Sequence, residues 1–142
     1  MSRVDFYVLR DTGEPARQRF ACRLAEKAWS LDNSVHIRVA DHQTADVMDD
    51  LLWTFRDGSF VPHEKISTAE HKTAAPITIG VDESACRQCD LLINLSATLP
   101  GNADAFPRVA EIVTSDVPSR QLSRERFVEY RNNGHTLDTH KL

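Results

Sequence analysis

Residues 4–39 read VDFYVLRDTGEPARQRFACRLAEKAWSLDNSVHIRV, and two hydrophobic periods alternate along them. The apolar run at 4–9 and the alternation of apolar and polar residues at 35–39 are typical of strands. A helix is predicted between them from about Pro15, because apolar residues recur there at helical spacing. A strand, a helix and a second strand in this order indicate a βαβ unit with parallel strands.

The remaining elements follow the same logic. A second helix is predicted after Asp41, a favourable N-cap residue, and a third over 119–133, before Gly134. Three more strands are predicted, the last of which also fits a helical pattern, at 77–81, 91–95 and 109–114. Residues 56–76 have no clear period and are predicted to form a long connection, which in a compact domain is usually functional or disordered. The sequence thus predicts one α/β domain over residues 1–142 with a mostly parallel sheet.

The charge of the chain limits its function. Its 142 residues include 17 basic and 21 acidic side chains, and the net charge of −4 argues against binding nucleic acid over the whole surface. Residues 119–142 differ, since 5 basic and 3 acidic side chains there give a local balance of +2.

The sequence also bears on where the protein works. It contains no run of 18 apolar residues, so no membrane-spanning helix is expected. The odd count of three cysteines and the lack of a signal-peptide pattern favour the reducing cytoplasm.

Nucleotide binding has little support. Phosphate sites in α/β folds need glycines where backbone amides approach the ligand at the start of a helix. The first strand-to-helix loop, residues 9–15, has one glycine and two acidic residues, which would repel phosphate. Neither GxGxxG nor GxxxxGK[ST] occurs in the chain, so we expect no nucleotide cofactor.

A pair of cysteines, Cys86 and Cys89, raises the alternative of an enzyme. A CxxC pair supplies half of a zinc site, for which His63 and His71 are the candidate partners, or a redox dithiol. The redox motif normally opens a helix after a first strand, whereas this pair precedes the strand predicted at 91–95. We favour incidental loop cysteines and no metal, and keep a small metal- or thiol-dependent enzyme as the alternative.

Other catalytic patterns are weak. No GxSxG and no HExxH motif occurs, so hydrolase chemistry has no support. The carboxylates of Asp46, Asp49 and Asp50 fall on one helix whose other face is apolar. We interpret them as a solvated helix face and assign no catalytic residue.

An apolar cluster adjoins the long connection. Trp53 follows Leu51 and Leu52 on the second helix and lies about 160° from Phe55 on a helical wheel, at the margin of the core face. Together with Phe60–Val61 it would form an exposed apolar patch, which is typical of a partner site. The alternative, a loop that packs its aromatic residues back onto the sheet, fits the pattern equally well.

The predicted last helix has an unusual stripe. Arg120, Arg124, Phe127 and Arg131 fall within a wedge of roughly 60°. Because guanidinium groups keep their charge, this face requires water or anions. A solvated basic face is one interpretation, and a dock for an acidic segment with an apolar anchor is the second. Contact with a phosphate backbone is a third, which the acidic body disfavours.

These elements resemble the family of bacterial DNA polymerase III chi subunits, over nearly the whole chain. Residues 6–9 (FYVL) are similar to its first strand, and residues 51–53 (LLW) with 59–63 (SFVPH) to its LW…SFVPH stretch. Residues 90–95 (DLLINL) are similar to its D-I-L-I-x-L strand. Residues 121–131 (QLSRERFVEYR) resemble its QLxRERYxxYR helix, and the SFVPH and RERF elements together are specific.

The resemblance implies a Rossmann-like three-layer fold with helices on both faces of the sheet and without a nucleotide. It also implies a non-catalytic accessory subunit of the polymerase, which binds the psi subunit as a heterodimer and reaches the clamp loader through psi. In the family, psi docks near the SFVPH stretch. The corresponding residues here are Trp53, Phe60, Val61 and Pro62.

The resemblance implies a second partner, the single-stranded DNA-binding protein, SSB. Its acidic C-terminal tail, which ends in Pro-Phe, is held in the family near the last helix, so DNA is contacted indirectly. The corresponding pocket here consists of Val117, Arg120, Arg124 and Phe127. Both implied surfaces coincide with the two features found from the residues alone.

Overall fold

The computed structural model describes residues 2–58, 61–67, 74–81, 89–101 and 103–142. Within these ranges it has seven strands, three helices and a short 3-10 turn at Ala103–Ala105. The strands are β1 (Arg3–Val8), β2 (Val35–Val39), β3 (His63–Lys65), β4 (Ile77–Val81), β5 (Leu91–Asn94), β6 (Arg108–Val113) and β7 (Thr136–Lys141). The helices are α1 (Glu14–Ser30), α2 (His42–Thr54) and α3 (Val117–Asn132). None of the described helices is long and apolar enough to cross a bilayer.

The described strands form one sheet in the order β3-β4-β2-β5-β6-β1-β7, and every neighbouring pair is parallel. The prediction of a mostly parallel sheet is thus confirmed. β1 lies between β6 and β7, so that Val4 is opposite Val109 on one side and Leu137 on the other. All residues of β2 and β5 are buried, as expected for central strands covered on both faces.

Two apolar clusters lie on opposite faces of the sheet. On one face, Cys22 of α1 and Met48 and Leu52 of α2 pack against the central strands. On the other, Tyr130 of α3 packs with Phe6 and its neighbours on β1 and β6. The three-layer, Rossmann-like α/β arrangement implied by the sequence is confirmed.

Local signals predicted most element boundaries. Asp41 caps α2, because its Oδ1 accepts a hydrogen bond of 2.7 Å from the backbone N–H of Thr44. Pro15 lies in the first turn of α1, and Gly134 follows the end of α3 with a φ of 87°. The uncertain segment at 109–114 is a strand, β6, because it pairs on both sides.

The expectation for two segments was wrong. The connection predicted over 56–76 contains β3, which has three residues and is too short to show a period. No strand was predicted after α3, but β7 is present, and most of its side chains are exposed because it lies at the edge of the sheet. α3 begins at Val117 rather than near Ser119, since Pro118 fits a first helical turn.

Candidate functional site

The face of α3 that carries the predicted basic stripe is exposed. Val117, Arg120, Arg124 and Phe127 lie on one side of the helix, within roughly 80° of each other. Val117 is 74% exposed, and Arg120 and Arg124 are also exposed. Phe127 is half-buried and its ring centroid lies 5.5 Å from that of Phe6 in the core. The four predicted residues therefore share a face on which cations adjoin the margin of the core.

The inner face of α3 is held by a buried charge that was not singled out from the sequence. Arg126 is 7% exposed, and its Nη1 lies 2.6 Å from Oε1 of Glu111 on β6. Its Nη2 donates to the backbone oxygen of Ser96 at 2.9 Å. Tyr130, one turn later, donates to Oε2 of Glu111 at 2.6 Å. This network fixes the rotation of α3 about its axis and so directs the exposed stripe to solvent.

The network continues across the sheet. Nδ2 of Asn94 on β5 donates to Oε2 of Glu111 at 2.8 Å, and Nη1 of Arg38 on β2 donates to Oδ1 of Asn94 at 2.9 Å. The same Nη1 donates to the backbone oxygen of Thr98 at 2.7 Å. Burial and the neighbouring Glu111 raise the pKa of Tyr130, so its hydroxyl stays protonated and donates. Three strands and α3 thus share one set of polar contacts.

The second predicted surface lies on α2. Trp53 is 49% exposed, which confirms that it leaves the core face. Its indole ring packs on His63, with ring centroids 4.8 Å apart. Nε2 of His63 lies 3.1 Å from Oδ1 of Asp49, and Nδ1 lies 2.6 Å from the backbone oxygen of Val61. His63 therefore fixes the position of Trp53 relative to the segment that precedes β3.

The predicted apolar patch differs from expectation at Val61. That side chain is fully buried in the cluster beneath α2, so its placement in an exposed patch was wrong. Val61 lies two residues before the short strand β3, whose pairing with β4 brings this part of the chain against the core. Pro62 is half-buried beside it, and Phe60 lies outside the described residues. Among the described members, Trp53 and Pro62 reach the surface.

Acidic side chains flank Trp53. Asp46 is exposed and pairs with Nζ of Lys65 at 2.6 Å, and Asp50 is also exposed. The interpretation of these two as a solvated helix face is confirmed. Asp49 instead turns toward His63. An exposed indole ring with carboxylates around it is suited to contact with a partner that is apolar at its centre and basic at its margin.

The crevice at the carboxyl ends of the strands is where Rossmann folds hold nucleotides. Its cavity of about 450 Å³ is lined in part by Glu14, Glu111 and Asp116, and by Arg17 and Arg126, which pair with Glu14 and Glu111. The backbone N–H of Gly13 donates to Asp116 at 3.2 Å, so this amide is already occupied. Hydrogen bonds from Thr114 and Gly13 hold the pKa of Asp116 below its usual range. The ionised carboxylate of Asp116, which already occupies the Gly13 amide, disfavours a phosphate at this position.

The described residues give no support to the alternative of a metal- or thiol-dependent enzyme that uses the cysteine pair and the two histidines. Sγ of Cys89 lies 3.1 Å from the backbone oxygen of Leu91, while Cys86 and His71 lie outside the described residues. Burial raises the pKa of the Cys22 thiol to about 12, which makes it unreactive at neutral pH. Among the residues that the structure describes, no cluster of three potential metal ligands is present.

Comparisons of the sequence with a family model and with individual proteins point to the same family. The family described as DNA polymerase III chi subunit, HolC, matches residues 1–138. A relative from Pseudomonas aeruginosa, DNA polymerase III subunit chi, is 42% identical over 142 residues, which cover 100% of this chain and 98% of the relative. The subunit of the same name from Escherichia coli K12 is 32% identical over 145 residues, covering 98% and 97% of the two chains.

Proposed function

Because this chain belongs to the DNA polymerase III chi subunit family, we propose that it is a non-catalytic bridge within the replicative polymerase. It would bind the psi subunit through the Trp53 surface and the acidic tail of SSB through the α3 stripe. In this way it joins the clamp loader, in the cytoplasm, to template coated with SSB. The observation that carries the proposal is the exposed face of α3, where Arg124 and Phe127 lie side by side at the margin of the core.

The proposed SSB site has an apolar part and a cationic part. The partly exposed ring of Phe127 and the exposed side chain of Val117 supply contact area for the terminal phenylalanine of the tail. Arg124, assisted by Arg120, supplies donors for its terminal carboxylate. Within the described part of the chain neither arginine has a carboxylate partner, so both are available. Acidic residues upstream in the tail add attraction that salt screens.

The test of this site is titration with a fluorescent acidic peptide that ends in Pro-Phe. Arg124→Ala is expected to weaken binding by roughly ten- to a hundred-fold, the equivalent of about 1.5–3 kcal/mol for a charge-assisted hydrogen bond. The measurement is fluorescence anisotropy at low and at moderate salt, and the wild-type affinity should fall as salt is added.

The matched control is Arg19→Ala, which removes one exposed arginine from α1 and leaves α3 intact. Its affinity for the peptide should stay within twofold of the wild type. If Arg124→Ala and wild type bind equally, or if both variants lose affinity to the same extent, the proposed site is wrong.

The proposed psi surface is centred on Trp53. His63 packs against its indole ring, Asp50 lies one turn before it on α2, and Pro62 lies on the adjoining segment next to the buried Val61. Phe60 belongs to the surface by family resemblance. Large aromatic side chains at the centre of an interface commonly contribute most of its binding energy.

Trp53→Ala is therefore expected to weaken the complex with psi by about 2 kcal/mol or more, roughly thirty-fold. The measurement is calorimetric titration with purified psi. Val47→Ala, which truncates another exposed apolar side chain of α2, is the control and should have little effect. Equal affinities of the wild type and Trp53→Ala would place psi elsewhere.

A further inference from the structure

An apolar groove, separate from the surfaces described above, lies on the face of the sheet that carries α1 and α2. α1 packs mainly over β2, β5 and β6, and on this face it reaches β1 where Phe20 contacts Tyr7. Between α1 and β1 the surface falls into a groove of about 870 Å³. It shares no residue with the Trp53 surface or with the α3 stripe.

The wall of this groove is a continuous apolar stripe on α1. Phe20 and Leu24 of α1 and Leu31, the residue that follows the helix, line it, and Tyr7 of β1 lies opposite, with its ring centroid 5.4 Å from that of Phe20. Leu31 is 65% exposed, so much of its apolar side chain is in contact with solvent. From Phe20 to Leu31 the stripe is about 16 Å long, given the helical rise per residue. Such a length fits three turns of a helix or a short extended segment.

The rim of the groove is cationic. Arg23 lies over the ring of Phe20 at 5.7 Å, and Lys27 follows one turn later. In the described ranges neither side chain pairs with a carboxylate. Two acidic residues, Asp11 and Asp90, also line the groove. The carboxylate of Asp90 already accepts hydrogen bonds from Ser34. On a chain with a net charge of −4, two unpaired cations beside exposed apolar side chains form a local site for an anionic partner.

We propose that this groove binds an acidic amphipathic segment of another protein, whose apolar side chains lie along the α1 stripe and whose carboxylates pair with Arg23 and Lys27. The choice of partner follows from charge complementarity and from the shape of the groove. A linear stripe of about 16 Å matches side chains at positions i, i+4, i+7 and i+11 of a helix. The site is independent of the two surfaces proposed above.

The test uses a designed probe, a fluorescent 14-residue peptide with leucine and phenylalanine at i, i+4, i+7 and i+11 and with aspartate and glutamate elsewhere. Its C-terminus is amidated so that it lacks a terminal carboxylate and does not mimic the SSB tail. Wild-type protein should bind this peptide, and Arg23→Glu with Lys27→Glu should weaken binding at least tenfold. A peptide with lysine in place of the acidic residues should not bind.

Two controls keep the experiment decisive. Arg19→Glu reverses a charge on the same helix away from the groove and should change the affinity less than twofold. In wild-type protein, the amide NMR signals that shift on titration should be those of Tyr7, Leu24 and Lys27. The proposal is overturned if the peptide does not bind at millimolar concentration, if Arg19→Glu is as damaging as the double variant, or if the shifts map to α3.

Discussion

At the scale of single residues, Asp5 shows how a buried carboxylate contributes to the fold. Its side chain is 2% exposed, and Oδ2 lies 2.9 Å from Nη2 of Arg108. Oδ1 lies 2.9 Å from Nε2 of His140 and 3.2 Å from Nε of Arg3. Burial by itself would raise the pKa of Asp5, but hydrogen bonds from His140, Arg108 and Arg3 outweigh it, so the pKa lies below its ordinary value. Asp5 thereby links β1 to both neighbouring strands.

The pH dependence of stability follows from this direction. The ionised carboxylate of Asp5 stabilises the folded state fully above its ordinary pKa of 3.8, and this contribution is lost as the pH falls through the lower folded value. Asp5→Asn should therefore be less stable than wild type at pH 5.5, and the gap should narrow at pH 3. The measurement is urea unfolding of both proteins at each pH. A gap of constant size would contradict the assignment, since the other carboxylates titrate in both proteins.

Arg126 shows what the sequence could not predict at this scale. It lies between Arg124 and Phe127, and nothing in its identity indicates that it points inward. The buried residues of α3 are Arg126 and Tyr130, so the helix has no apolar stripe strong enough to reveal its orientation in the sequence. Its partner Glu111 lies in the middle of β6, and only the tertiary arrangement brings the two within 2.6 Å. Removing either member of a buried pair costs about 3–5 kcal/mol, whereas the pair itself is close to neutral.

At the scale of elements, the end of α3 is determined by a glycine. Gly134 has a φ of 87°, its N–H donates to the carbonyl of Arg131 at 3.0 Å, and the N–H of His135 donates to the carbonyl of Tyr130 at 3.2 Å. These two bonds form a Schellman motif, which turns the chain from α3 into β7.

Gly134→Ala is expected to lower the free energy of unfolding by about 1–2 kcal/mol, because the left-handed conformation is unfavourable for a residue with a Cβ atom. The added methyl group itself meets open space, so the loss arises from the backbone alone. Gly134→Asn should be milder, since asparagine tolerates this conformation. Thermal unfolding of the three proteins is the measurement, and equal stabilities would show that the turn relaxes.

The elements whose apolar residues recur with a clear helix or strand period were predicted from the sequence, and those without such a period were not. β2 alternates apolar and polar residues, β5 is a mostly apolar run, and α2 has a cap and an apolar face, so each was evident. β7 was missed because an edge strand needs few apolar residues, and its sequence TLDTHK contains one leucine. The same limit applies to the candidate site: the helical wheel predicted the exposure of Trp53, but the burial of Val61 depends on β3.

At the scale of the whole molecule, the two proposed partner surfaces are well separated. α2 lies over β2, β3 and β4 on one face, and α3 lies over β6 and β7 on the other. Along the sheet, the midpoint of the strands beneath α2 lies four strand spacings, or about 20 Å, from the midpoint of those beneath α3. The arrangement leaves room for two partners at once, as a bridge requires.

Saturation with psi should therefore leave the affinity for the Pro-Phe peptide within twofold of its value for the free protein. The measurement is anisotropy of the labelled peptide with and without excess psi, at constant salt. The Trp53→Ala variant, which is expected to bind psi poorly, is the control for any direct contact between psi and the peptide. A tenfold loss on addition of psi would mean that the two sites overlap or are coupled.

The position of β1 also has a consequence for how the protein is made. This strand leaves the ribosome before the other described strands, yet its two neighbours in the sheet are residues 108–113 and 136–141. At bacterial or eukaryotic speeds of synthesis, the 100 or so intervening residues take roughly 5–20 s to emerge. Throughout that interval Val4, Phe6 and Val8 have no sheet to join. The nascent chain thus has to keep an apolar, strand-forming segment from aggregating until its partner strands have emerged.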